Sequence, residues 1–145
     1  MTTITAAPAI EFFARLNDHD IDGVMALVPD DASVEFVAAQ IKGTAGVEGR
    51  GFLDELVTAF PDLRVEVLRA FHGKDGTVTV AVRMEGTQAG EFLGAINQEK
   101  YLDLEQAWMF FADGGDITGI RAYWCQSQLY RRLAIKRFDQ VTITG

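Results

Sequence analysis

The sequence predicts an α+β fold, with three early helices packed on one face of a strongly curved, mostly antiparallel sheet to form a cone. Three observations predict it. Apolar residues recur at helical spacing through much of the chain up to Phe60. After Pro61 the apolar period falls to two in the strand-like segments that reach Cys125. Short turns rich in Gly and Asp join most of the late segments, as in an antiparallel meander with helices on one side.

Each element has its own signal. Ile10, Phe12, Phe13 and Leu16 fall at helical spacing, and Asn17-Asp18-His19-Asp20 breaks the pattern and supplies caps for a second helix. That helix carries Ile21, Val24, Met25 and Leu27 and stops at Pro29-Asp30-Asp31. Ser33 to Ala38 is rich in Val and Phe and reads as a strand. A Gly-bearing loop, Gly43 to Gly51, leads into a third helix with Phe52, Leu53, Leu56, Val57 and Phe60. Leu63, Val65, Val67 and Ala70 mark the next strand, His72 to Gly76 a hairpin turn, and Thr77 to Met84 the returning strand. Gly86 to Asn97 is a Gly-interrupted connection, read as a flap with Phe92 and Leu93 at its apolar tip. Tyr101 to Ala112 and Ile117 to Cys125 are the last two strands, joined by Asp113 to Asp116. Leu129 to Phe138 is a closing helix or an irregular tail.

The 145 residues suit a single domain spanning 1–145 and can bury a sizeable core without covalent staples. One cysteine, Cys125, excludes an internal disulfide and a Cys-rich zinc site. Asp103 and Glu105 lack a third ligand at a convincing spacing, so no metal and no other cofactor is expected. The formal charge of −8 disfavours nucleic acid and anionic membrane as partners, and Arg131, Arg132, Lys136 and Arg137 read as a solvated helix face. Apolar runs such as Met109 to Ala112 fall far short of a membrane span, and no leader pattern opens the chain, so a cytoplasmic location is expected.

Four stretches carry a family resemblance. They are Pro29-Asp30, Gly49-Arg50-Gly51-Phe52 running to Ala59-Phe60-Pro61-Asp62-Leu63, Gly86-Thr87-Gln88-Ala89-Gly90-Glu91-Phe92-Leu93-Gly94, and Tyr123-Trp124 with Leu129 to Leu133. In this order they resemble the SnoaL-like polyketide cyclases, within the superfamily shaped like nuclear transport factor 2. The resemblance implies a cone with an apolar interior, a natural small-molecule pocket. It also implies an aldol-type proton shuttle between a histidine on the penultimate strand and an aspartate on the last. Here Trp108 stands in the histidine's place, and the aspartate maps to Ala122 or Cys125. A ketosteroid-isomerase arrangement matches only in part: Phe12 and Phe13 occupy the first helix in place of tyrosine, and Glu35 is the nearest carboxylate to the base position.

Strand parity puts Leu104, Gln106, Trp108 and Phe110 on one face and Glu105, Ala107 and Met109 on the other. The resemblance, which sets Trp108 at the histidine's place, implies that the first face lines the cone and leaves Ala107, Met109 and Phe111 outward on a face suited to a homodimer. Phe12, Leu16, Phe36, Leu56, Phe60, Met84, Phe92, Leu93, Trp108, Phe110, Ala122 and Trp124 are the expected substrate-lining residues. Gln106, Tyr101 and Tyr123 are candidates to hydrogen-bond a substrate carbonyl, and Glu35 is a candidate acid or base. With the proton shuttle missing, the leading expectation is ring closure of a polyketide-like substrate by conformational templating, a [4+2]-type pericyclic step assigned to some members of the family. The alternatives are isomerisation or dehydration led by Glu35, and a non-catalytic carrier of an apolar ligand.

Overall fold

Positions 9, 12, 13 and 16 lie within one narrow stripe of a helix, and Ala9, Phe12, Phe13 and Leu16 are the buried residues of α1, Ala7–Asn17. Ile10 lies about a quarter-turn away and faces solvent. The computed structural model describes residues 7–113 and 116–135. At the end of α1, Asn17 Oδ1 accepts a hydrogen bond from Val65 N–H at 2.7 Å, and His19 Nε2 lies 2.9 Å from the Leu63 carbonyl. Asp20 caps α2, Ile21–Met25, by accepting from Gly23 N–H at 3.0 Å.

The strand predicted to Ala38 ends two residues early. β1 is Ser33–Phe36, because Val37–Ala39 form a 3₁₀ turn and Gln40, at φ +57°, reverses the chain. β2, Ile41–Thr44, then pairs antiparallel with β1 where a loop was predicted from Gly43 onward. Ala45–Gly49 form a π-helical turn that runs directly into α3, Arg50–Ala59.

Four long strands follow: β3 Arg64–His72, β4 Val78–Thr87, β5 Tyr101–Asp113 and β6 Asp116–Tyr123. The sheet order is β2-β1-β6-β5-β4-β3, with only β1 and β6 parallel. The sheet is curved and unclosed, and register shifts between Val67 and Arg69 and between Phe111 and Ala112 help bend it. α4, Gln126–Arg132, starts three residues before the closing helix predicted at Leu129 and ends at Arg132; positions 136–138 of that prediction lie outside the described residues.

Alternation sets the two faces. Val78, Val80, Val82 and Met84 of β4, and Leu102, Leu104, Gln106, Trp108 and Phe110 of β5, point into the concave side. α1 and α3 cover them. Phe12 and Phe13 pack edge-on against Phe110, and Phe13 is perpendicular to Trp108, with centroids 5.4 Å apart. Phe36 stacks on Phe52 at 4.3 Å, and Phe52 stacks on Trp124 at 5.7 Å. Such pairs add about 0.5–1.5 kcal/mol each beyond their burial.

The outer face is less uniformly apolar than predicted. Ala81, Ala107, Met109 and Phe111 form a strip already half covered. Beside it, Arg83 is held between Glu66 on β3 and Glu105 and Asp103 on β5, and Arg64 faces Glu85. These opposite-charge pairs follow the strand register.

Candidate functional site

Most of the apolar residues expected to line an interior pocket pack against one another among the described residues. Phe12, Leu16, Phe36, Leu56, Phe60, Met84, Phe92, Trp108, Phe110 and Ala122 are all buried in one core cluster. Between Phe12, Phe36, Trp108 and their neighbours there remains only about 10 Å³, roughly the space of one water. Around that space these described side chains pack against one another, at positions expected from the sequence to line a substrate pocket. Trp108 Nε1 donates to Gln106 Oε1 at 2.7 Å, which uses the amide carbonyl that faces the core.

Three predicted catalytic side chains point elsewhere. Glu35 alternates with the buried Val34 and Phe36, so it faces outward, where Arg121 holds it at 2.9 Å. Tyr101 is 51% and Tyr123 39% exposed, both on the outer side of their strands. Tyr123 Oη accepts from Arg121 Nη1 at 3.4 Å. Strand parity separates Glu35, Tyr101 and Tyr123 from the concave side, and only Gln106 among the four reaches it.

Open space lies at the end of the sheet where β1 and β6 finish. A half-open pocket of about 420 Å³ is lined there by Ala38, Ala39, Gln40, Ile41, Glu55, Glu91, Leu93, Gly94, Gln126 and Tyr130. This volume falls within the range of small-molecule sites. Of the predicted residues, Leu93 lines it, and Trp124 stands beside it, donating from Nε1 to Gln126 Oε1 at 2.7 Å.

The connection between β4 and β5 forms one wall, and it is pinned down. Gln88 is buried; its Nε2 donates to the carbonyls of Gly90 and Ala95, both at 3.1 Å, and its Oε1 accepts from Gln98 N–H at 3.4 Å. Phe92, predicted at the apolar tip of a flap over the cone's mouth, inserts between Phe52 and Phe60. That insertion swings Leu93 to the pocket in a left-handed conformation, φ +47°, followed by Gly94 at φ +82°. A bulky side chain there costs on the order of 1–3 kcal/mol and persists only where its surroundings hold it. Both peptide groups of Leu93 are held: its N–H donates to Glu55 Oε2 at 3.4 Å, and its carbonyl accepts from Tyr130 Oη at 3.3 Å. Gln40, the left-handed residue after β1, lines the opposite wall.

Glu55 was not singled out by its sequence context, a polar position on α3 between the buried Phe52 and Leu56. It keeps solvent contact, yet its carboxyl is pushed above the ordinary value of 4.5. Desolvation is the largest cause, Glu91 adds to it, and the Leu93 N–H bond opposes it. Among the described residues, no group of three or more His, Cys, Asp or Glu side chains is placed to hold a metal, and no helix is long and apolar enough to cross a membrane.

No curated protein matches the sequence. Solved structures do share the fold. IdmH from Streptomyces antibioticus, a candidate polyketide cyclase, is 16% identical with a TM-score of 0.74, the match covering 89% of this chain and 97% of that one. A candidate SnoaL-like polyketide cyclase from Jannaschia sp. CCS1 is 21% identical with a TM-score of 0.72, covering 90% and 94%. SalBIII, an epoxide hydrolase/cyclase-like enzyme in pyran ring formation of the polyether salinomycin, is 22% identical with a TM-score of 0.67, covering 84% and 91%. Residues 9–120 match the family model of the SnoaL-like domain, a span running from α1 through most of β6. The chain belongs to the SnoaL-like family, with the cone fold of nuclear transport factor 2.

Proposed function

We propose that this protein is a cyclase that closes a ring of a flexible, unsaturated polyketide-type intermediate. The observation that carries the reading is the pocket of about 420 Å³, lined by apolar and polar side chains, on a SnoaL-like fold. Names given to fold neighbours, polyketide cyclase and pyran-forming cyclase-like enzyme, support the same substrate class.

Ala38, Ala39, Ile41 and Leu93 give the chain of the substrate apolar contact, while Gln40, Gln126 and Tyr130 give it polar anchors. With the Gln126 carbonyl engaged by Trp124, its NH₂ is the donor left for a ligand. Templating is the proposed catalytic mode. Holding two reacting carbons near contact contributes up to roughly 7–11 kcal/mol in well-oriented intramolecular reactions. A pericyclic closure of the [4+2] type uses that contribution without a proton shuttle. The Glu35-led reading loses its support, because that carboxylate faces away from the pocket.

The test adds purified protein to an extract of a strain lacking the gene and follows metabolites by mass spectrometry. A new compound of unchanged mass with shortened conjugation is the expected product. Loss of one water, or a bound compound returned unchanged, overturns the reading in favour of a dehydratase or a carrier.

A further inference from the structure

The pocket joins one carboxyl group, a strained peptide and a phenol in a single hydrogen-bonded chain. Glu55 Oε2 accepts from Leu93 N–H, and Tyr130 Oη donates to the Leu93 carbonyl. Glu55 Oε1 makes no such bond to a described residue, and the carboxyl lines the cavity. Three different elements, α3, the β4–β5 connection and α4, thus position this group and leave one oxygen for a ligand.

We propose that Glu55 is the catalytic residue that donates a hydrogen bond to the conjugated carbonyl of the substrate, a role resting on the ring-closure reading above. Withdrawal of electron density from the carbonyl activates the conjugated system toward cycloaddition. The proton stays on Glu55 throughout, so the step changes no proton count. This placement fills the vacancy left by Tyr101 and Tyr123, which face outward. Carboxylic acids serve as neutral donors where their surroundings disfavour ionisation.

The surroundings of Glu55 fit that role. Glu91 on the connection and Tyr130 on α4 are the other titratable groups lining the pocket; the wall from Ala38 to Ile41 contributes none. Among the described residues no lysine, arginine or histidine lines the cavity to stabilise a carboxylate. On α3 itself, Arg50 is engaged by Asp22 and Asp54. Desolvation and Glu91 both favour the protonated form.

The test uses two synthetic probes. The first is a linear conjugated trienone without a tethered alkene, which is unable to cyclise and reports the carbonyl's hydrogen bond by a red shift of its absorption. With the parent protein the bound probe is expected to shift to the red at low pH and lose the shift as Glu55 ionises, followed by ¹³C NMR of the labelled Glu55 carboxyl. Glu55→Gln keeps a donor and should keep the shift at every pH; Glu55→Leu should abolish it. The same shift in Glu55→Leu, no shift in the parent, or no binding of the probe overturns the assignment.

The second probe carries the alkene, and Glu55→Leu should slow its closure by about 10²-fold, the scale of losing one donor to a developing charge. Closure at the parental rate in Glu55→Leu sinks the catalytic role of Glu55 alone. A parent protein that shifts the inert probe yet never closes the reactive one sinks the cyclase reading and leaves the hydrogen bond standing.

Discussion

Two carboxylates show how little a residue's identity decides without its surroundings. Glu35 faces water beside Arg121 at 2.9 Å, an exposed pair of the kind worth under about 1 kcal/mol. Glu35→Gln should therefore change the denaturation midpoint slightly and leave turnover at the parental level; loss of turnover would place Glu35 in the chemistry. Glu55 behaves oppositely. Its proton is held more tightly in the folded state than in the unfolded chain, because the pocket desolvates it. Its contribution to stability is full below the ordinary value of 4.5 and is lost as pH rises through the raised folded value. Glu55→Gln does not titrate, so thermal melts should show the variant gaining on the parent as pH climbs through that window. A pH-independent difference between the two would count against the raised value. Glu55 was not legible in the sequence because its helix reads as an ordinary polar position. Glu91 and Leu93, which act on its carboxyl, come about forty positions later, and only the folded chain brings them near.

Among the elements, the joint between α3 and β4 explains two motifs that the sequence showed only as words. Phe60-Pro61-Asp62-Leu63 and Gly86-Thr87 meet there: Thr87 N–H donates to Asp62 Oδ1 at 2.8 Å, and Ala89 N–H donates to the Ala59 carbonyl at 2.7 Å. A Cβ at Gly86 would stand 3.1 Å from Asp62 Oδ1 and 3.2 Å from Phe60 Cβ, tighter than most such contacts, so that these neighbours, Asp62 being tied to Thr87 N–H, would have to give way. Gly86→Ala should cost about 1–3 kcal/mol, read by urea denaturation. Gln88→Ala, which strips the neighbouring connection of its buried amide, should cost a similar amount by orphaning backbone groups. Its distinguishing sign is faster hydrogen exchange confined to residues 88–98, and uniform acceleration across the sheet would refute the pinning role. Long elements were readable because their periods repeat, as in Val78, Val80, Val82 and Met84. β2 escaped notice because Ile41–Thr44 is four residues long, half-buried and carries a glycine.

At the scale of the whole molecule, the sequence pattern led to the cone and to an apolar interior, without telling a lined pocket from a packed core. Ten phenylalanines and two tryptophans are compatible with a lined chamber or a solid core, and only the mutual contacts of Phe12, Phe36, Phe52 and Trp108 decide for the core. The parallel pairing of β1 with β6, Ser33 with Gly119 through Phe36 with Ala122, has a consequence for synthesis. β1 leaves the ribosome long before the strand it pairs with. Until β6 emerges, β1 has β2 on one edge and an unpaired edge on the other, and Trp108 lacks Ala122 beside it. Native order of this sheet therefore has to wait until β6 has emerged. Ribosome-stalled chains of increasing length should stay protease-sensitive until β6 and α4 have cleared the exit tunnel, then become resistant over a narrow span of lengths.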